Sequence, residues 1–193
     1  MRHALVIDTE TARAVDFRSV RGRPWTAPGY RSCGLAQVAW CTVDLARGAI
    51  RDVTSAYLND PTEGEIHNPY ARVSQELCDE LGQDPAHVAA SLARALEGCT
   101  EVSGHNVAFD VCVLSSWLAA KGFPEVGERL RSLPTLCTML LGAARTPGGR
   151  WPKLVALCEL LGVPTEEAHD ARNDVVMAAK CLIELLPPSE QVE

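Results

Sequence analysis

Apolar runs near the start of the chain predict a sheet. Residues 3–8 are apolar on both faces, which is typical of a central, buried strand. Residues 34–44 and 50–58 predict two further strands, joined by a turn at 45–49 that contains Gly48. A short fourth strand is predicted at 100–103, immediately before Gly104.

Helical spacing dominates the rest of the chain. The helices are predicted at 74–81, 85–96, 109–120, 152–161 and 171–186, and glycine or proline follows most of their ends. Residues 11–33, rich in Arg, Gly and Pro, and residues 59–68 predict long loops, Gly148-Gly149 opens another, and 136–141 fits either a helix or a strand. This order of elements predicts an α/β fold with a mixed sheet.

Length and composition support one globular domain spanning residues 1–193. The chain is 47% hydrophobic and 22% charged, which is ordinary for a globular protein. No apolar run reaches the ~18–20 residues that cross a bilayer, and the first ten residues lack the pattern of a secretory signal. We therefore expect no membrane contact.

The net charge of −7 excludes nucleic-acid binding through the overall field of the protein. Any such contact needs metal ions or a local basic patch, and the one clear cluster of basic residues is in the first loop. It consists of Arg13, Arg18, Arg21, Arg23 and Arg31.

Eight cysteines do not form a zinc or redox motif. No CxxC pair occurs, and none of the spacings is typical of a zinc site. Cys112, Cys158 and Cys181 fall in helix-like segments, where cysteine usually packs as a small hydrophobe. We expect reduced thiols and therefore a cytoplasmic protein.

An acidic pair ends the first predicted strand. Because strand side chains alternate, Asp8 and Glu10 point to the same side. Two adjacent carboxylates favour a divalent cation between them, although a polar strand end entering a loop would give the same three letters.

Two later segments add a carboxylate each. Asp110 ends the sequence HNVAFD at 105–110 and opens a helix, where an acid also suits the helix dipole. Asp174 shares a helical face with Ala178, Cys181 and Leu182, and no Lys or Arg lies on that face. A carboxylate on an apolar face must be paired or bind a cation, so a metal is favoured here.

Taken together, these segments resemble the DEDDh branch of the ribonuclease H-like 3′–5′ exonucleases, the DnaQ-like group. DTE at 8–10, HNVAFD at 105–110 and AHDARND at 168–174 match the three family motifs in order and spacing, and the resemblance covers residues 4–186. It implies a mixed five-stranded sheet flanked by helices. It also implies release of nucleoside 5′-monophosphates from single-stranded 3′ ends.

The resemblance also assigns roles to residues. Asp8, Glu10 and Asp174 would hold one Mg²⁺ or Mn²⁺, Asp8 would bridge to a second with help from Asp110, and His169 would be the general base. Histidine suits that task near neutral pH. We expect substrate contacts from the residues that flank these ligands in the motifs: Thr9, Thr11, His105, Asn106 and Phe109.

Several alternatives stay open from the sequence. DNA is the expected substrate by similarity to the proofreading group, with RNA 3′-end trimming as the alternative, since the choice depends on contacts to the 2′-hydroxyl. A catalytically inactive nucleic-acid-binding module is disfavoured because all four carboxylates and His169 are present. A polymerase or another replication or repair protein is a possible partner, and the oligomeric state is open.

Overall fold

A five-stranded sheet forms the centre of the protein. The computed structural model describes residues 2–15, 20–58, 66–165 and 169–186. The strands are β1 (His3–Thr11), β2 (Leu35–Asp44), β3 (Ala49–Tyr57), β4 (Glu101–Gly104) and β5 (Thr135–Cys137), in the spatial order β3-β2-β1-β4-β5. β2 pairs antiparallel with both β1 and β3, whereas β4 runs parallel to β1 and β5. The predicted fold class is confirmed.

Helices cover both faces of this sheet. They are α1 (Pro28–Ser32), α2 (Gln75–Leu81), α3 (Pro85–Leu96), α4 (Val107–Ala120), α5 (Pro124–Ser132), α6 (Thr138–Ala143), α7 (Leu154–Leu161) and α8 (Ala171–Leu185). Three helices begin directly after a residue whose side chain caps the helix N-terminus. Ser74, Asp84 and Asp170 each accept a hydrogen bond from a backbone N–H of the first turn.

The two faces of β1 pack against different helices. Leu5 and Ile7 join the core cluster that contains α3 and α4, whereas Ala4 and Val6 pack against α8. All four side chains are fully buried, which confirms the expected central strand. Side chains alternate between the two faces along the whole of β1. The residues after Ile7 therefore also point alternately towards α8 and towards α4.

The structure corrects several predicted elements. β1 extends to Thr11, because Glu10 pairs with Gln37 and Thr11 with Leu35 of β2, and α1 lies inside the predicted loop at 11–33. α5 was not predicted, α7 begins at Leu154 rather than at 152, and residues 136–141 divide between β5 and α6. Residues 16–19 and 59–65 of the two predicted loops lie outside the described residues.

Two further observations concern the chain as a whole. Within the described ranges, no helix is both long enough and apolar enough to span a membrane. All eight cysteines are free thiols, and the Sγ atoms of Cys158 and Cys181 lie 3.5 Å apart between α7 and α8.

Candidate active site

Three separate segments bring four carboxylates to one end of β1. Asp8 and Glu10 extend from β1, Asp110 lies in the first turn of α4, and Asp174 lies in the first turn of α8. The alternation of β1 explains how one strand reaches both helices. Asp8 and Glu10 lie on the same face of β1 as Ala4 and Val6, which packs on α8. Thr9 lies on the opposite face with Leu5 and Ile7, which packs on α4.

Thr9 holds Asp110 in this arrangement. Its backbone N–H and its hydroxyl both donate to Asp110 Oδ1, at 3.1 and 2.7 Å. Both residues are buried, so the hydrogen bonds fix the carboxylate in the low-dielectric interior. Asp110 therefore cannot turn away from β1 without leaving buried donors unpaired.

Asp174 has one satisfied and one unsatisfied oxygen. The backbone N–H of His169 donates to its Oδ2 at 3.1 Å, whereas its buried Oδ1 has no hydrogen-bond partner. The residue is only 9% exposed, as the apolar face of α8 predicts. An unpaired, buried carboxylate oxygen is costly, and a bound cation would satisfy it.

Glu10, His169 and Asp174 form a group that could hold a metal ion. One ligand atom from each lies within 4.8 Å of the other two. His169 is exposed and has a left-handed backbone conformation with φ of 66°. Its carbonyl oxygen accepts a hydrogen bond from the Arg72 backbone N–H at 2.9 Å, which fixes the segment before α8.

The pKa values of the four carboxyl groups are all raised. Burial is the largest cause for each, and repulsion from neighbouring carboxylates adds to it. The pKa of Asp8 is well above its usual range, that of Glu10 rises to about 8, that of Asp110 to about 7 and that of Asp174 to about 6. The two Thr9 hydrogen bonds oppose the rise at Asp110, as the His169 N–H does at Asp174.

These shifts show that four ionised carboxylates are unstable together without a compensating charge. The His169 ring beside Asp174 lowers the pKa of that carboxyl group. Carboxylate oxygens are the ligands that Mg²⁺ and Mn²⁺ prefer. The donor set therefore fits hard divalent cations.

The other predicted site residues contact parts of the protein other than the four carboxylates. The Thr11 hydroxyl donates to the Arg13 carbonyl and accepts from Asn68 Nδ2. Asn106 precedes α4 with φ of 67°, and the Phe109 ring lies 6.1 Å from that of Tyr30. Substrate contacts by Thr9, Thr11, His105, Asn106 and Phe109 remain predictions.

His105 contacts the protein through both ring nitrogens. Nδ1 lies 3.0 Å from Thr138 Oγ1, and Nε2 lies 3.0 Å from the Pro152 carbonyl oxygen. A carbonyl only accepts, so Nε2 carries a proton. Burial lowers the pKa of this histidine. Its ring thus joins the start of α4 to α6 and to the segment before α7.

One positioning residue was missed from the sequence. Gln37 of β2 is buried, its Oε1 accepts from the Ala171 N–H at 3.2 Å, and its Nε2 donates to Asp170 Oδ2 at 3.3 Å. It therefore ties the start of α8, which carries Asp174, to the sheet. A polar residue within an otherwise apolar strand is the signal that could have identified it.

Comparison with known families decides the membership of this chain. The profile of the RNase T family, described as exonuclease, matches residues 5–182. The chain belongs to this exonuclease family. The resemblance found in the motifs is thereby confirmed, and members of the family use divalent metal ions. Among curated proteins, no significant sequence match is found.

Solved exonuclease structures share the fold. E. coli exonuclease I in complex with a dT13 oligonucleotide superposes with a TM-score of 0.68 at 18% identity, covering 93% of this chain and 40% of that one. Exonuclease I from Methylocaldum szegediense gives 0.68 at 20% identity, covering 98% and 42%. Exonuclease X in complex with 5′ overhanging duplex DNA gives 0.60 at 20% identity, covering 94% and 90%. The chain thus spans about two fifths of the exonuclease I chains.

Proposed function

We propose that this protein is a 3′–5′ exonuclease that acts on single-stranded DNA and releases nucleoside 5′-monophosphates. The observation that carries the proposal is the convergence of Asp8, Glu10, Asp110 and Asp174, with one buried Asp174 oxygen left unpartnered. Exonuclease I structures with bound dT13 and dA16 oligonucleotides share the fold, which supports a single-stranded DNA substrate.

The four carboxylates would hold two divalent ions, Mg²⁺ or Mn²⁺. When bound, such a pair stabilises the charge that develops on the attacking and leaving oxygens during phosphodiester hydrolysis. The chain's own contribution is to fix the ligands. Thr9 orients Asp110, and the His169 N–H orients Asp174, so the carboxylates are preorganised on rigid elements.

His169 would act as the general base. Its ring is exposed beside Glu10 and Asp174, where water can reach it, and its backbone is held on both sides by hydrogen bonds. It would accept a proton from the attacking water while the new P–O bond forms and the bond from phosphorus to O3′ breaks. The departing O3′ would take up a proton from solvent water, and His169 would return its own to solvent. The products are a nucleoside 5′-monophosphate and a strand shortened by one nucleotide with a new 3′-hydroxyl.

End-labelled strands test this proposal. A 5′-labelled single-stranded DNA, its RNA counterpart and a blunt duplex are incubated with Mg²⁺ or Mn²⁺, with and without a chelator. We expect a ladder of DNA fragments that shortens from the 3′ end and is abolished by the chelator. Internal cuts, shortening from the 5′ end or activity in chelator would contradict the proposal. Faster shortening of RNA would overturn the preference for DNA.

A further inference from the structure

A groove runs alongside the first turn of α4, the turn that carries Asp110. It encloses about 540 Å³, within the range of about 300–1,000 Å³ that is common for ligand sites. Asn106 and Phe109 line its wall, and Phe109 directly precedes Asp110 in the chain. The groove therefore lies beside the turn of α4 that carries Asp110.

The groove is lined mainly by apolar and aromatic side chains. Phe109, Tyr30, Leu140 and Trp151 all line it, and the rings of Tyr30 and Phe109 lie 6.1 Å apart. Leu140 is 53% exposed and Trp151 is 59% exposed, although both are large hydrophobic residues. An exposed aromatic side chain in a groove, here Trp151, suits flat ligands that stack, and every nucleobase has such a face.

The rim of the groove is basic. Arg21 and Arg23 line it, and no acidic side chain does so within the described part of the chain. In a protein of net charge −7, this absence of acid favours an anionic ligand. The loop that carries both arginines is anchored, because Tyr30 Oη donates to the Val20 carbonyl at 3.0 Å and the Arg131 guanidinium stacks over Trp25 at 4.0 Å.

The Trp151 segment is also held in place. His105 Nε2 donates to the carbonyl oxygen of Pro152, the next residue, and His105 itself lies at the start of α4. Trp151 is therefore tied to the same turn that carries Asp110, although 41 residues separate them in sequence. This hydrogen bond holds the backbone next to Trp151 against the segment that leads into α4.

We propose that this groove binds the unpaired bases of the substrate strand near its 3′ end, with Trp151 stacking on a base and Arg21 and Arg23 contacting the phosphates. The occupant, a single-stranded nucleic acid, rests on the proposed function. The combination of an exposed aromatic side chain, apolar walls and a basic, acid-free rim matches a single-stranded nucleic acid, because its bases stack and its phosphates are anionic.

Equilibrium binding in chelator tests the groove separately from catalysis. The probes are fluorescent dT oligonucleotides with normal bases or with abasic residues at the last positions before the 3′ end. For the wild type we expect weaker binding to the abasic strand. Trp151→Ala should weaken binding of the normal strand about fivefold to a hundredfold and leave binding of the abasic strand unchanged. Trp151→Phe should retain most of the affinity, and Leu160→Ala, 48% exposed on α7, is the matched control.

Substitution of Arg21 and Arg23 should change binding differently from substitution of Trp151. Arg21→Gln combined with Arg23→Gln should weaken both strands equally and reduce the slope of log K against log salt by roughly 1.4, about 0.7 for each phosphate contact on a single strand. The proposal is overturned if Trp151→Ala changes both strands equally or neither, or if the wild type binds no oligonucleotide. Absence of hydrolysis with normal binding would instead contradict the proposed function alone.

Discussion

Thr9 and Asp110 are 101 residues apart in sequence and are joined by two hydrogen bonds to a single oxygen. The Thr9 N–H and hydroxyl both donate to Asp110 Oδ1. The relationship follows from the alternation of β1, because Thr9 points to the α4 face while Asp8 and Glu10 point to the α8 face. One three-residue strand segment thus contributes two carboxylates and orients a third.

Replacing Thr9 by valine tests this relationship. Thr9→Val removes the hydroxyl donor and keeps the shape, so we expect a loss of about 1 kcal/mol in the free energy of unfolding. Because that hydrogen bond lowers the pKa of Asp110, its loss should also raise the Mg²⁺ concentration that gives half-maximal activity. Thr9→Ser retains the donor and is the control. Equal Mg²⁺ requirements for the valine and serine variants would contradict the role.

Stability without metal should fall as pH rises. The pKa values of Glu10, Asp110 and Asp174 are raised to about 8, 7 and 6, so the folded state binds more protons than the unfolded state above pH 4. The stabilisation is complete below the unfolded pKa and is lost as pH rises through the folded values. Since one pKa unit corresponds to about 1.4 kcal/mol, we expect the chelated protein to be less stable at pH 8 than at pH 5 by on the order of 5 kcal/mol.

Urea unfolding in chelator at both pH values measures this difference. Mg²⁺ should restore stability at pH 8, because a cation offsets the repulsion among the ionised groups. Asp174→Asn removes one titrating group and should reduce the pH dependence. A chelated wild-type protein that is more stable at pH 8 than at pH 5 would show that the carboxylates are not crowded as described.

The base role of His169 can be tested without a confounding change in the backbone. Since its φ is 66°, His169→Gly relieves strain and His169→Asn is well tolerated there, whereas alanine is not. Both variants should lose about 10²–10⁴-fold in kcat, as removal of a general base does. Both keep the backbone N–H that holds Asp174. Full activity of either variant at neutral pH would assign the proton transfer to another group.

Gly104 allows β1 and β4 to approach closely. A Cβ atom at this position would lie 2.6 Å from the Ile7 carbonyl oxygen, next to Asp8. Gly104→Ala should therefore lower the free energy of unfolding by about 1–3 kcal/mol and reduce activity by displacing β1. Gly122→Ala is the comparison, because it has open space but φ of +91°. It should affect stability alone, and equal loss of activity in both variants would contradict the explanation.

The motifs and the apolar periodicity predicted most of what positions the site. The structure shows Asp174 on the apolar face of α8 and Asp170 as the N-cap of that helix. It also shows β1 buried on both faces. These features depend on local patterns that a single sequence contains. Apolar residues that recur every three or four positions identify the buried face of a helix from the sequence alone, whatever packs against that face.

Other features depend on tertiary contacts and were therefore not predictable. α5 is polar on most of its surface and packs through Val126, Gly127 and Leu130, which gives too short an apolar pattern for recognition. Likewise, the sequence does not show that the His105 ring reaches Thr138 and Pro152, because those partners lie 33 and 47 residues away.

The central claim is that Asp8, Glu10, Asp110 and Asp174 together bind divalent cations. Calorimetric titration with Mn²⁺ tests it most directly, at a pH above the pKa values of about 6 and 7 that Asp174 and Asp110 have without metal. We expect two ions per wild-type chain, at least about a hundredfold weaker binding in Asp8→Asn and Asp174→Asn, and no change in Leu160→Ala. Absence of Mn²⁺ binding by the wild type, or undiminished binding by Asp8→Asn and Asp174→Asn, would contradict the account.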